Sequence, residues 1–388
     1  KLNTGDQNSA FGSFALGACS SGAQNTGLGY QAARQLTTAD NTVAVGWRSM
    51  DLLTSGGSNT CVGASAMFST TTGYHNVSMG NKALQDNVDG YENVALGYRA
   101  FEDATDRRYN VMVGAYAGLN GGAHNNVGIG YKAMGTGTQT TASDDNVAIG
   151  VNAMEDLTTG QDNVSCGAYS LANLTEGTGN VGIGYEALFD ATTPSFNTAV
   201  GYQAGTNLTT GSGLVAIGKE ACEDVTTATQ CTGVGEKALL NVTTGQTNTG
   251  VGFQSMVTCT DGSHNTAIGP FSLNLLTSGQ FNSALGLNAG ADITTGDNNL
   301  VLGLNAGRSS SPSGSLTTDS NVVCLGNNSI TSLFCKISTI QTSDIRDKTD
   351  VTDFKHGLSW ITKLRPVTYR WDMRTNYEDR KPDGSKKE

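Results

Sequence analysis

Apolar and polar positions alternate over very short stretches of this chain, and the stretches return at a fixed interval. Asn197-Thr198-Ala199-Val200-Gly201 is one copy: polar entry, β-branched residue, small residue, apolar residue, glycine. Taking the glycine as marker, copies stand at Gly12, Gly29, Gly46, Gly63, Gly80, Gly97 and Gly114, always 17 residues apart. The interval shifts at Gly130 and Gly150, then is restored from Gly167 through Gly303, and a last degenerate copy sits at Gly326, making 19 copies. Alternation of this kind marks a strand of about five residues, with its two larger side chains on one face. A fixed period of this length marks a solenoid, in which each repeat is one coil stacked on the next. The fold class expected is therefore all-β, a parallel β-roll or β-helix of 17-residue coils, with nineteen repeats over residues 1–328.

Each position of the repeat carries its own physical signal. Four residues before the marker stands Asn in 15 of 19 copies, among them Asn59, Asn163, Asn248 and Asn299. Stacked coils would align these into a ladder of side-chain amides that satisfies the polar groups of a tight corner. The residue after the marker is often aromatic, as at Tyr30, Trp47, Tyr98 and Tyr202. Packing between coils or chains is the expected role of these rings, with sugar contact as the alternative. Three after the marker is Ala or Ser in every copy, for example Ala32, Ala83, Ala204 and Ser255. A site that never exceeds that size predicts close approach of another backbone. Thr-Thr-Gly follows in many copies, as at 209–211 and 243–245; it reads as turn chemistry, with the glycine available for positive φ. At a strand spacing of about 4.7–4.9 Å, nineteen coils would build a rod on the order of 90 Å long. Residues 135–143 and 308–320 read as extruded loops. Two or three sizeable inward side chains per coil are a thin core for one chain. With the small residues three after the marker, this predicts a homo-oligomer, a trimer, whose chains pack closely.

Composition narrows the class. The 51 Gly and 5 Pro among 388 residues are too glycine-rich for a helical bundle and lack the period of collagen. The apolar residues recur too regularly for disorder. Residues 1–340 hold 12 Lys and Arg against 25 Asp and Glu, and residues 341–388 hold 11 against 9. The long acidic part argues against nucleic acid as partner. No stretch is apolar and long enough to span a membrane as a helix. Lys1 falls inside a repeat, so the chain is expected to be a piece or a processed product of a longer one. The eight cysteines form no C-x-x-C pair, and most fall where the repeat holds small or apolar residues; they read as free, buried thiols. His75, His124 and His264 precede strand Asn residues many coils apart and read as surface corners, and His356 lies in the C-terminal segment. No metal or cofactor site is expected. The Asn-x-Ser/Thr triplets arise from the repeat itself, the Ser143-Asp144-Asp145 turn lacks multi-ligand Ca²⁺ spacing, and no carboxylate pair stands out for glycosidase work.

The unit Asn197-Thr198-Ala199-Val200-Gly201-Tyr202-Gln203-Ala204 resembles the head repeats of trimeric autotransporter adhesins, which are left-handed parallel β-rolls. It is more similar still to longer repeats in tail-fibre proteins of marine phages. The resemblance covers residues 1–326.

Past residue 330 the composition changes, with two Gly in 341–388 against 49 before. Residues 329–342 read as a connecting strand. A small α+β segment is expected beyond it, with a helix over 355–364 stopped by Pro366 and a half-buried strand at Val367, Tyr369 and Trp371. Ser343-Asp344-x-Arg346-x-Lys348, then Gly357-Leu358, then Leu364-Arg365-Pro366-Val367-x-Tyr369-x-Trp371, is similar to the start of the intramolecular chaperone domain of endosialidase-type tailspikes and many phage fibres. Residues 343–388 would be an incomplete copy. Asp347 stands where many members carry Leu. The resemblance implies trimerisation, assisted folding, and one self-cleavage between Ser343 and Asp344, with Ser343 and Lys348 as the catalytic pair. Attack by Ser343 on its own carbonyl would need a four-membered ring, so a neighbouring chain's serine or an activated water is the easier nucleophile. A Lys acting as base needs burial or a nearby cation to lower its pKa. Without the resemblance, the two residues read as a linker Ser and a solvated Lys.

Three functions follow as expectations. The first is the shaft of a virion tail fibre or spike, on the virion surface, with other virion proteins and a host receptor (glycan or protein) as partners. The second is a trimeric adhesin on a bacterial cell surface; that class carries a coiled-coil stalk and a membrane anchor, and no heptads appear in this sequence. The third is a glycan depolymerase, tested by release of reducing ends. No enzymatic turnover beyond the single cut is expected.

Overall fold

The computed structural model describes residues 5–333, apart from residues 122 and 141. The chain divides into two units, Lys1–Thr331 and Ser332–Glu388. Among the described residues of the first unit are nineteen strands, from β1 (Ser9–Phe11) to β19 (Val323–Leu325), and no helix. Each pairs in parallel with the next in chain order, as β12 (Thr198–Val200) pairs with β13 (Val215–Ile217), so one sheet runs the length of a parallel β-solenoid. The strands are three residues long, shorter than the alternation predicts. The marker glycine ends each one. From Gly12 to Gly286 its φ lies between +129° and +146°, and a Cβ on Gly201 would lie 2.6 Å from the carbonyl carbon of Gly218. Marker stacks on marker with no room for a side chain, and the backbone conformation is nearly exclusive to glycine.

The rest of each coil is a turn bonded to both neighbours. Lys237 and Leu239 adopt left-handed φ of 58° and 55° although neither residue favours it. Their N–H groups donate to Lys219 O at 2.9 Å and Ser255 O at 3.0 Å, one in the coil before and one in the coil after. Those bonds offset the local strain.

The expected Asn ladder is present and does more than link amides. The Oδ1 of Asn163 accepts from the backbone N–H of Asn180 at 2.9 Å and from its Nδ2 at 3.0 Å, and Asn180 Nδ2 also donates to Pro194 O at 2.8 Å. A second ladder, unanticipated, runs through the first Thr of Thr-Thr-Gly. Thr209 Oγ1 donates to Thr226 O at 3.1 Å and Thr226 Oγ1 to Thr243 O at 3.1 Å. The following glycines do not serve positive φ. A Cβ on Gly211 would fall on the Ala228 carbonyl oxygen, so glycine is required there by contact with the next coil.

The core is built from small residues. In every strand after β1 the middle residue, such as Ala44, Ala148 and Ala199, points inward and is buried, beside Leu and Met from the turn half such as Met50, Leu53, Leu171 and Leu174. The Ala and Ser three after the marker are also inside: Ala32, Ala83, Ala204 and Ser255 are fully buried by their own chain. Their small size therefore reports the width of the coil, and does not require a neighbouring chain. The irregular intervals are absorbed by the turns. Pairing stays in register from β7 (Val111–Val113) to β8 (Val127–Ile129), to β9 (Val147–Ile149), and from β18 (Leu300–Leu302) to β19. Neither predicted loop is wholly extruded: Gln139, Ser311 and Leu316 turn back and are buried. Residues 329–333 form no strand. The remainder of the connecting strand, and the helix and strand expected beyond it, lie outside the described residues.

Candidate functional site

The inward turn of the small middle residue decides what the sheet shows to solvent. The first and third residues of the strands share a face, as the alternation predicts, and that face points outward; in β7 the larger Met112 is the middle residue and fills the core. Met79, Ile183, Ile217 and Leu285 are 54%, 39%, 40% and 49% exposed. No charged residue occupies either outward column in any of the nineteen coils. The adjoining rings pack coil on coil: Tyr185 stacks on Tyr202 at 5.4 Å and Tyr98 meets Tyr116 edge-on at 5.3 Å. The result is a continuous uncharged face along the sheet, with one column apolar in every coil and the other mixing Val with Thr and Ser.

Charge is gathered on the turn half. Buried Asp51 takes Arg34 at 2.7 Å and Arg48 at 2.9 Å, clamping two successive coils. Glu102 is nearly buried and takes Arg99, with Lys82 at 3.5 Å. Half-buried Glu220 lies between Lys219 at 3.0 Å and Lys237 at 3.1 Å, and these two ammonium groups hold its carboxyl below the usual carboxylate range. A groove of about 670 Å³ crosses this side, lined by Asp190, Asn207, Asp224 and the Thr209, Thr226 and Thr243 column. Its groups are committed to one another: Asn207 Nδ2 donates to Asp224 Oδ1 at 2.8 Å, Asn173 Nδ2 to Asp190 Oδ1 at 3.1 Å, and the threonine hydroxyls to main-chain carbonyls. Both carboxylates thus act as ladder partners.

Among the described residues five cysteines are buried: Cys61, Cys222, Cys231, Cys259 and Cys324. Burial pushes the thiols of Cys61 and Cys259 up to about 12. Cys19 is half-buried. Cys166 departs from the expectation of burial, because it occupies the outward strand column and is exposed. His75 and His264 lie on the surface. His124 is half-buried and its Nδ1 has no partner; burial lowers its pKa. Among the described residues no group of three His, Cys, Asp or Glu could hold a metal ion, and no helix is long and apolar enough to cross a membrane.

Ser343, Asp344 and Lys348 lie outside the described residues, as does Cys335. The outward apolar columns escape a reading of the strand alone. The signal that finds them is the small middle residue, which can only be the inner one if the coil is narrow.

With this geometry in view, one comparison bears on the C-terminal part. Residues 343–388 match the family described as chaperone of endosialidase. No curated protein and no solved structure matches the chain. The protein thus joins a parallel β-solenoid to a C-terminal chaperone-of-endosialidase segment, a pairing that fits a tail-fibre-like protein.

Proposed function

We propose that this chain is the shaft of a virion tail fibre or spike that projects toward a host surface for attachment. Three copies assemble side by side, and the C-terminal chaperone segment drives their folding and then releases itself by one cut between Ser343 and Asp344. Ser343 and Lys348 carry the cut, and the fibre works with other virion proteins and a host receptor. The observation that carries this reading is the chaperone match at 343–388 directly following nineteen stacked coils.

The outward sheet face supports assembly. Full burial of an aliphatic side chain is worth about 1.5–3 kcal/mol at about 25 cal/mol per Å², or roughly 60–120 Å² each. With around 40% of that area exposed at Ile183, Ile217 and their equivalents, one column of nineteen presents roughly 500–900 Å². That is comparable to the roughly 800 Å² each partner gives to a stable interface.

Two measurements test the reading. Sedimentation of the full chain is expected to give a three-chain particle, and a folded monomer would refute assembly. Intact mass of wild type against Ser343→Ala is expected to show the cut product in the first only. Equal masses would remove self-cleavage and leave the segment a folding aid.

A further inference from the structure

Between Gly114 and Gly150 the repeat loses its period: one coil spans 16 residues, the next 20. A cavity of about 310 Å³ opens over these coils, lined by Asp103, Arg107, Asn120, Gly121, Thr138 and Gln139. Glycine is required at position 121 because a Cβ there would meet the Phe101 ring, with Cδ2 at 2.6 Å, so a ring lies directly beneath this part of the lining.

Two side chains at this cavity break the rule the ladders keep elsewhere. Gln139 is 4% exposed; its Nε2 donates to Met134 O at 3.3 Å, and its Oε1 has no donor. Arg107 pairs through Nη1 with Asp106 Oδ1 at 2.7 Å, while its Nε is buried without an acceptor. Only six buried side-chain polar atoms among the described residues lack a partner, and two of them belong to residues that line this one cavity. Buried polar groups left unpaired in this way call for a ligand or an ordered water. They are of opposite kind: the amide oxygen needs a donor, the guanidinium nitrogen an acceptor. Both residues line the cavity, and the two unpartnered atoms lie beneath its wall.

The charges limit what fits. An anion is opposed by Asp103, whose carboxyl is held above its usual range by burial and by Glu102 and Asp86. A cation is opposed by Arg107. A hydroxyl both donates and accepts, and it answers Gln139, Arg107 and Asp103 at once. The volume is at the lower end of small-ligand sites, which begin near about 300 Å³. The geometry points to a binding site for a neutral, polyhydroxylated ligand the size of one sugar ring, held by hydroxyls that donate to Gln139 Oε1 and Asp103 and accept from Arg107 Nε. This site stands independently of the fibre reading.

Saturation-transfer NMR on the full chain with D-glucose, D-galactose, D-mannose and N-acetyl-D-glucosamine tests it. At least one sugar is expected to show saturable transfer, weakened about tenfold or more in Gln139→Leu and in Arg107→Met. Asp190→Asn, in the distant groove, is expected to bind like wild type. Should either cavity variant fail to fold, exposed Thr138→Val carries the test, with weakened transfer expected. Absence of saturable transfer from all four sugars overturns the site. So does unchanged transfer in the folded cavity variants, or displacement of the bound sugar by inorganic phosphate.

Discussion

Removing one rung of the Asn ladder should cost far more than a surface substitution, and Asn180→Ala measures it. The Oδ1 of Asn180 accepts from Asn197 N–H at 3.1 Å and Asn197 Nδ2 at 3.0 Å, while its Nδ2 donates to Asn163 Oδ1 and Pro194 O. Alanine leaves Asn197 Nδ2 its bond to Gly211 O, and leaves Asn163 Oδ1 the N–H of residue 180. Two main-chain groups lose these partners, the Asn197 N–H and the Pro194 carbonyl. At about 1–3 kcal/mol for each buried group left unsatisfied, the substitution should cost about 2–6 kcal/mol. A stack of coils unfolds in neighbour-coupled segments, so the readout should be local as well as global. Hydrogen exchange followed by mass spectrometry on the peptide around Asn197 should show protection reduced by about thirtyfold or more, at about 1.4 kcal/mol per tenfold, with a lowered denaturation midpoint. The reciprocal change is Cys231→Asn. Cys231 occupies the rung position, where its Sγ reaches Gly245 O at 3.3 Å and offers Asn248 N–H only a sulfur. An amide there should stabilise by about 1 kcal/mol. Unchanged exchange at Asn197 in Asn180→Ala, with a midpoint shift below about 0.5 kcal/mol, would refute the claim that the ladder holds the corner.

Three further outcomes follow. Gly201→Ala should cost at least about 3 kcal/mol from strained φ and backbone clash combined, whereas Gly314→Ala, with φ +71° and nothing within 4 Å, should cost about 1 kcal/mol; equal midpoints in denaturant would sink the stacking argument. Cys166 lies in the outward column, so iodoacetamide should label it in dissociated chains and spare it in the assembled particle, while Cys61 resists in both; prompt labelling in the particle would exclude that face as the interface. Glu220 has a folded-state pKa depressed below 4.5, so its contribution is present above that pH and is lost as pH falls through the folded value. Lys237→Met should flatten this acid limb by less than about 1 kcal/mol, as for a surface pair, and an unaltered limb would show that the pair does not contribute.

What could be read from the sequence depends on whether a residue's role repeats. Stacking places like on like, so the period at Gly201 and the amide at Asn180 are legible without coordinates: both neighbours of each residue are copies of itself. Lys237 and Leu239 are not, because their left-handed φ is imposed by bonds to the coils on either side and leaves no Gly or Asn signal. Gln139 and Arg107 are not, because they meet only where the period fails and the turns close differently. The most instructive displacement concerns the partner surface. The sequence points to neighbouring chains through the Ala and Ser three after the marker, and the structure buries those within their own coil. Alternation tells that Thr198 and Val200 share a face but cannot tell which side of the strand is inside. That choice is made by the other half of the coil: Ala204 and Leu208 leave space only for Ala199 between them and the sheet, so the larger residues must turn out. The apolar residue just before each marker is thus the one left facing solvent, where the proposed assembly would cover it. The coil's narrowness, which makes its own core thin, is also what drives that residue to the surface.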